Sequence, residues 1–154
     1  MKKTMFILRG TSGSGKSTWS DKKLQEAMKT GAQCRHASAD DFFLDEDCNY
    51  NFDPTRLSEA HNYCLRSVLD AIQMGWETVI VDNTNTEAHE IAPYRALALA
   101  YGYKVKILHF QCEVETSIAR NVHNVPEKTI RSQHYRLSKP LPRYWEKQEI
   151  IRTS

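Results

Sequence analysis

No stretch of this sequence approaches the roughly 18 consecutive apolar residues of a transmembrane helix, so no membrane-spanning helix is expected. Cysteine is sparse and unpatterned: Cys34, Cys48, Cys64 and Cys112 form neither a C-x-x-C pair nor a tight disulfide framework. With no secretory leader either, they are expected to be reduced thiols of a cytoplasmic protein. The six histidines make no zinc motif, because Pro93 stands where the second histidine of an H-E-x-x-H opening at His89-Glu90 belongs. No structural metal is therefore expected. Net charge is almost absent, +2 from 21 Lys+Arg against 19 Asp+Glu, too little by itself to predict nucleic-acid binding. Internal repeats, low-complexity tracts and long linkers are missing as well. So are an N-K-x-D motif and the glycine of a D-x-x-G after Asp82, which argues against a GTPase switch. At 154 residues the chain is expected to fold as one domain.

Glycine is scarce, yet three of the six glycines fall in one run, Gly10-Thr11-Ser12-Gly13-Ser14-Gly15-Lys16-Ser17-Thr18. The run reads G-x-x-x-x-G-K-[ST], a phosphate-binding loop. The β-prone segment Thr4–Leu8 precedes it and good helix formers follow from Ser17 to about Thr30, the context this loop requires. Glycines let the backbone close around phosphate with successive N–H groups turned inward, and the new helix adds the positive end of its dipole. The loop residues Thr11 to Thr18 are the expected nucleotide-binding set. Lys16 is expected to reach the β- and γ-phosphates and the Ser17 hydroxyl to ligate Mg²⁺, which implies ATP–Mg²⁺ as the bound species.

The remaining pattern is βαβαβαβα. Strands are expected at Cys34–Ser38, Thr78–Val81, Val105–Phe110 and Glu149–Arg152. Helices are expected from Pro54 to Gly75, Glu87 to Tyr101, Val114 to Asn121 and Pro126 to about Leu137. This predicts an α/β doubly wound parallel sheet of the P-loop NTPase kinase type, with a C-terminal lid at about 120–136. Ligands of such sheets sit at the carboxyl ends of the strands, where Gly10–Thr18, Asp40-Asp41 and Asp82–Asn85 converge.

Each of those sites carries a chemical reading. Asp40 is the candidate general base for an acceptor hydroxyl, with Asp41 as a supporting substrate-side or capping residue. Asp82, ending an apolar strand, is the candidate Mg²⁺ ligand beside Ser17, while Asn83 and Asn85 are candidate substrate contacts; a plain turn is the alternative. Arg120 is the first choice for a catalytic arginine, with Arg131 and Arg136 either further lid cations or a solvated face. Acids crowd the stretch from Asp40 to Asp53 and cations the last third, fitting a C-terminal part that faces phosphate or simply a basic surface.

Taken together, these segments resemble the P-loop polynucleotide 5′-kinase group, which includes phage polynucleotide kinases and the kinase module of NEDD4-binding protein 2. The resemblance spans roughly residues 1–137 and rests on GTSGSGKSTW, Ser38-Ala39-Asp40-Asp41-Phe42, Val79–Asn85, Tyr101-Gly102-Tyr103-Lys104-Val105 and Ala119-Arg120-Asn121…Val125-Pro126. It implies ATP-dependent phosphorylation of a DNA or RNA 5′-hydroxyl, with Asp40 as base, Lys16 and Ser17 in the loop and Arg120 in the lid. One departure stands out: phage members carry an arginine shortly after the acid pair to hold a substrate phosphate, and Phe43 occupies that place here. Phe42, Phe43 and Tyr50 are alternatively base-stacking residues or loop anchors. Neither a phosphatase nor a ligase domain is expected beside it, and the chain is expected to act alone or with separate partners. A small-molecule kinase or a non-catalytic nucleotide-binding module are the rival readings.

Overall fold

A computed structural model describes residues 2–121 and 123–153. Five strands, β1 (Thr4–Arg9), β2 (Cys34–Ala37), β3 (Thr78–Asp82), β4 (Lys104–Gln111) and β5 (Glu149–Arg152), form one sheet in the order β2-β3-β1-β4-β5. Every neighbouring pair is parallel. Helices α1 (Lys16–Thr30), α2 (Leu57–Gln73), α3 (Ala88–Ala100), α4 (Val114–Ala119) and α5 (Glu127–Leu137) connect them. The doubly wound α/β architecture read from the sequence is the one observed. None of the described helices is long and apolar enough to cross a membrane.

Strand alternation divides the core. Met5, Ile7, Val79, Val81, Val105 and Ile107 face one way, against Ala60, Cys64 and Val68 of α2 and Ile91 and Ala98 of α3. Phe6, Leu8, Ile80, Leu108 and Phe110 face the other, against Trp19 of α1 and Ile151 of β5. Burying each large aliphatic side chain contributes about 1.5–3 kcal/mol, so β1 and β3, covered on both faces, anchor the sheet. β2 is an edge strand, which is why Arg35 and His36 are tolerated in it. Arg35 lies 4.5 Å over the Trp76 ring and pairs with Asp70 at 3.2 Å.

Two short 3₁₀ turns shape the approach to the carboxyl edge. Ala39–Phe43 follows β2, capped by the Ser38 hydroxyl accepting from the Asp40 amide at 3.2 Å. The cap is thus Ser38 and neither aspartate of the acid pair, leaving both carboxylates to other work. Pro54–Arg56 opens α2, with Asp53 accepting from the Thr55 amide at 2.9 Å, the Asp-Pro start expected from the sequence. Pro93 sits in the second turn of α3, whose start is closed by a Glu87/Glu90 capping box.

Between β1 and β3 lies a buried polar strut. Arg9 is fully buried; its Nε donates to Asn85 O at 3.1 Å, and its two Nη groups donate to Thr86 O and Gln148 Oε1 at 2.7 and 2.8 Å. Burial lowers its pKa to about 10, with Glu90 opposing. His109 of β4 shares that face of the sheet. Burial, then the charges of Arg9 and His134, depress its pKa from 6.5 to about 4. The unfolded chain therefore takes up this proton first: stability is full above pH 6.5 and falls as pH drops from 6.5 toward 4. The loss reaches roughly 2 to 3 kcal/mol. Between pH 7 and 4 the thermal midpoint is expected to drop further in the wild type than in His109→Gln; identical profiles would contradict a buried, neutral His109.

Candidate active site

The loop leaving β1 turns on two left-handed glycines, Gly13 at φ +82° and Gly15 at φ +102°. A Cβ on Gly13 would fall 2.5 Å from the Ser117 carbonyl oxygen and 3.2 Å from Arg120 Cβ, so α4 packs directly against the loop backbone. Gly15 caps α1 without a side-chain bond, leaving the first amides of the helix for the loop's interior. Lys16 is buried, and its Nζ donates to the carbonyls of Gly10 and Thr11 at 3.0 Å each. Burial lowers its pKa, opposed by Asp82, Asp40 and Cys112, so the loop lysine feels both candidate carboxylates. Gly13→Ala is expected to cost about 1–3 kcal/mol of stability from backbone strain and the clash with Ser117. A thermal midpoint equal to the wild type's would contradict this geometry.

Further pieces hold the loop. Ser12 N donates to Gln133 Oε1 of α5 at 3.1 Å, and Thr11 Oγ1 lies 2.6 Å from Ser117 Oγ of α4. The C-terminal strand returns Thr153 to the loop, its hydroxyl donating to Ser14 O at 2.8 Å.

Across from the loop stand the acids. Asp82, at the end of β3, is buried; its Oδ2 accepts from the Ser20 hydroxyl at 3.3 Å and lies 2.8 Å from His36 Nε2. The other nitrogen, His36 Nδ1, is 3.9 Å from Asp41 Oδ2, so one imidazole spans the two carboxylates. Burial disfavours the imidazolium, yet the hydrogen bond and charge of Asp82, with Asp41 and Asp21, lift the His36 pKa above 6.5. Asp41 is itself raised, by burial first and by Asp40 and Asp82, against the pull of His36. Asp40 is exposed to the cavity, and the Tyr50 hydroxyl donates to its Oδ1 at 3.2 Å.

His36, Asp40, Asp41, Tyr50 and Asp82 line one cavity of about 780 Å³. It brings together the loop from Ser12 to Thr18 with Asp40, Asp41, Asp82, Asn83 and Arg120, residues expected on one crevice from the sequence. Several expected residues lie elsewhere. Asn85, read as a substrate contact, is 1% exposed and outside the cavity; its Nδ2 donates to Leu8 O at 2.6 Å and its carbonyl serves Arg9. The reason is topological: β3 neighbours β1, so the residue leaving β3 satisfies the backbone leaving β1. Thr11 is buried on Ser117 rather than in this cavity. Asn83 lines the cavity, but its amide also braces the acid pair, Oδ1 accepting from Ala39 N at 2.9 Å. Arg131 is paired with Glu115 and Glu127 at 2.8 and 2.7 Å, and Arg136 faces Glu87 at 3.9 Å; of the three arginines, Arg120 lines the cavity. Val122, in the expected lid segment, lies outside the described residues.

Sequence reading missed His36, Ser20, Tyr50 as a partner of Asp40, and Thr153. His36 had a usable signal: in register with Ile80, it shares the sheet face on which Asp82 lies two residues further along β3. Thr153 had none, because its contact closes 139 residues of chain.

The residues fit a polyphosphate and a hard divalent cation. The loop turns on glycines at positive φ with Ser117 and Thr153 packed against it, and the Ser14 hydroxyl is buried without a hydrogen-bond partner among the described residues. Ser17 and Asp82 offer the oxygen donors suited to Mg²⁺, which is normally completed by phosphate and water.

A family model described as AAA domain (AAA_33) matches residues 5–140. NEDD4-binding protein 2 of Homo sapiens is 33% identical over 137 residues, covering 85% of this chain and 8% of that protein, so the chain spans less than a tenth of that relative. Among solved structures, the Mycobacterium tuberculosis APS kinase CysC in complex with AMPPNP and APS has a TM-score of 0.66 at 14% identity, over 98% of this chain and 88% of that one. A chain of the Pnkp1/Rnl/Hen1 complex has a TM-score of 0.60 at 22% identity, over 81% of this chain and 41% of that one. Both likenesses show the fold, a parallel α/β sheet of the P-loop kinase type.

Proposed function

The chain belongs to the AAA domain family, and on that premise we propose that it is an ATP-dependent kinase acting on the 5′-hydroxyl of a DNA or RNA end. One observation carries the phosphotransferase reading: a single cavity holds the loop lysine and serine, Asp82, the Asp40-Asp41 pair and Arg120. The polynucleotide acceptor is supported by the motif resemblance, above all Ser38–Phe42 and Val79–Asn85.

The chemistry follows from placement. The acceptor oxygen attacks the γ-phosphorus of ATP as the bond to the β–γ bridging oxygen breaks, and ADP leaves. Asp40 takes the hydroxyl proton. Lys16 and the loop amides hold the phosphates, and Arg120 answers the charge spread over the equatorial oxygens. Ser17 and Asp82 would hold Mg²⁺, which when bound neutralises the β- and γ-oxygens. His36 and Ser20 fix the Asp82 carboxylate through Oδ2. Asp41 stands beside Asp40 as a supporting acid, and Asn83 fixes the backbone that carries both.

A second reading has its own observation. No lysine or arginine occurs from Phe42 to Asp53, while Asp45, Glu46 and Asp47 are exposed there, so this rim is acidic and does not track a polyanion by charge. That favours a compact alcohol as acceptor. The two readings separate when kcat/KM is measured with ATP–Mg²⁺ for 5′-hydroxyl DNA and RNA oligonucleotides, a free nucleoside and small alcohols. The polynucleotide reading predicts the oligonucleotides ahead by at least about tenfold, a difference of about 1.4 kcal/mol. A small alcohol in that lead would transfer the assignment to the second reading.

A further inference from the structure

We infer that Tyr50 reads the acceptor, its ring serving as the platform on which the nucleobase next to the reacting hydroxyl stacks. This rests on the polynucleotide kinase reading and deepens it. Of the aromatic residues after the acid pair, Phe43 is buried in the larger core cluster. Phe42 is packed against Tyr63 at 5.9 Å and lies under the Arg56 guanidinium at 4.7 Å. Neither lines the cavity; Tyr50 does.

Tyr50 is also held in a fixed attitude. Asp45 ties its loop into a knot, accepting from the amides of Asp47 and Asn49 at 2.9 and 2.8 Å and from Asn51 Nδ2 at 3.1 Å. Leu44 and Tyr50 pair as an antiparallel bridge, and Asn51 N donates to Phe43 O at 2.8 Å. Phe52 lies parallel to the Tyr50 ring within 9° at 6.2 Å, and Phe43 meets it edge-on at 6.1 Å. The hydroxyl end rests on Asp40, so the plane of the ring is set with respect to the carboxylate that receives the proton.

What lies over Tyr50 is itself a flat aromatic ring. The His123 imidazole, exposed on the segment after α4, sits with its centroid 4.3 Å from that of Tyr50 at an interplanar angle of 34°. The face therefore accepts an aromatic plane at stacking distance, and an acceptor base takes the place His123 holds. The acidic rim sharpens the point. With no lysine or arginine between Phe42 and Asp53, this stretch offers an acceptor an aromatic face rather than a cation.

The test compares a 5′-hydroxyl oligonucleotide with the same strand carrying an abasic 5′-terminal residue, in wild type, Tyr50→Leu, Tyr50→Phe and His123→Ala, at saturating ATP–Mg²⁺. Removing the base is expected to cost the wild type roughly tenfold to a hundredfold in kcat/KM, chiefly in KM. Tyr50→Leu is expected to lose as much on the normal acceptor and little more on the abasic one, the non-additivity of a direct contact. Tyr50→Phe keeps the preference for a base but lowers kcat, since only the bond to Asp40 is gone. His123→Ala, which removes the competing ring, lowers KM for the normal acceptor and leaves the abasic one unchanged. An equal penalty for base removal in wild type and Tyr50→Leu would overturn the stacking role, as would a raised KM in His123→Ala should Tyr50→Leu fail to fold. Transfer to neither strand by the wild type would instead overturn the kinase reading, and this inference with it.

Discussion

Asp40→Asn is expected to lower phosphoryl transfer by about 10²- to 10⁴-fold while leaving nucleotide affinity within a few-fold of wild type. The substitution keeps the shape of the side chain and removes its capacity to take a proton. Its placement is protected, because the Asp40 amide is bound by Ser38 and the neighbouring Ala39 amide by Asn83, neither of which uses the carboxylate. The Tyr50 hydroxyl still finds an acceptor in the amide oxygen. Loss confined to kcat, with unchanged ATP binding by calorimetry, is the pattern of a group that acts on the acceptor side alone. If kcat stays within tenfold, the proton goes elsewhere, and Asp41, half-buried and held by His36, becomes the residue to vary.

Lys16→Ala is expected to lower kcat/KM by about 10³-fold or more and to weaken nucleotide binding together with it. One ammonium serves both because it is buried at the loop, where an ionic contact is screened little. Its removal has a second consequence inside the protein. Asp82 and Asp40 lose the cation that opposes them, and the Gly10 and Thr11 carbonyls lose their shared donor. Binding isotherms with ATP–Mg²⁺ beside steady-state kinetics test both halves. Unchanged affinity with lost turnover would mean that the ammonium touches only the transferring group; unchanged values of both would contradict the loop's role.

How much of this was legible beforehand depended on how local each signal was. The phosphate loop is written in consecutive residues, and its strand and helix flanks follow from composition, so fold and donor side could be read together. Asp82 was readable because an apolar β-branched run ending in an acid has one natural place in such a sheet. Asn85, three residues on, looked equally available, yet the adjacency of β1 and β3 assigns it to Leu8 and the buried Arg9. No local pattern records that adjacency. His36 is a polar residue inside the expected strand Cys34–Ser38, which local pattern marks only as an interruption. At a sheet edge such an interruption is inexpensive, and alternation aims it toward Asp82. Tyr50 sat in a stretch without periodicity, where only the knot around Asp45 decides which aromatic faces the cavity.

The most direct test of the whole account is the position of a transferred label. Protein, Mg²⁺ and γ-labelled ATP are incubated with a 5′-hydroxyl oligonucleotide, and the product is digested to nucleotides. Label is expected on the 5′-phosphate of the first nucleotide, and none when the strand starts with a 5′-phosphate already in place. Label on any other position, or an unlabelled strand beside active hydrolysis of ATP, would contradict it.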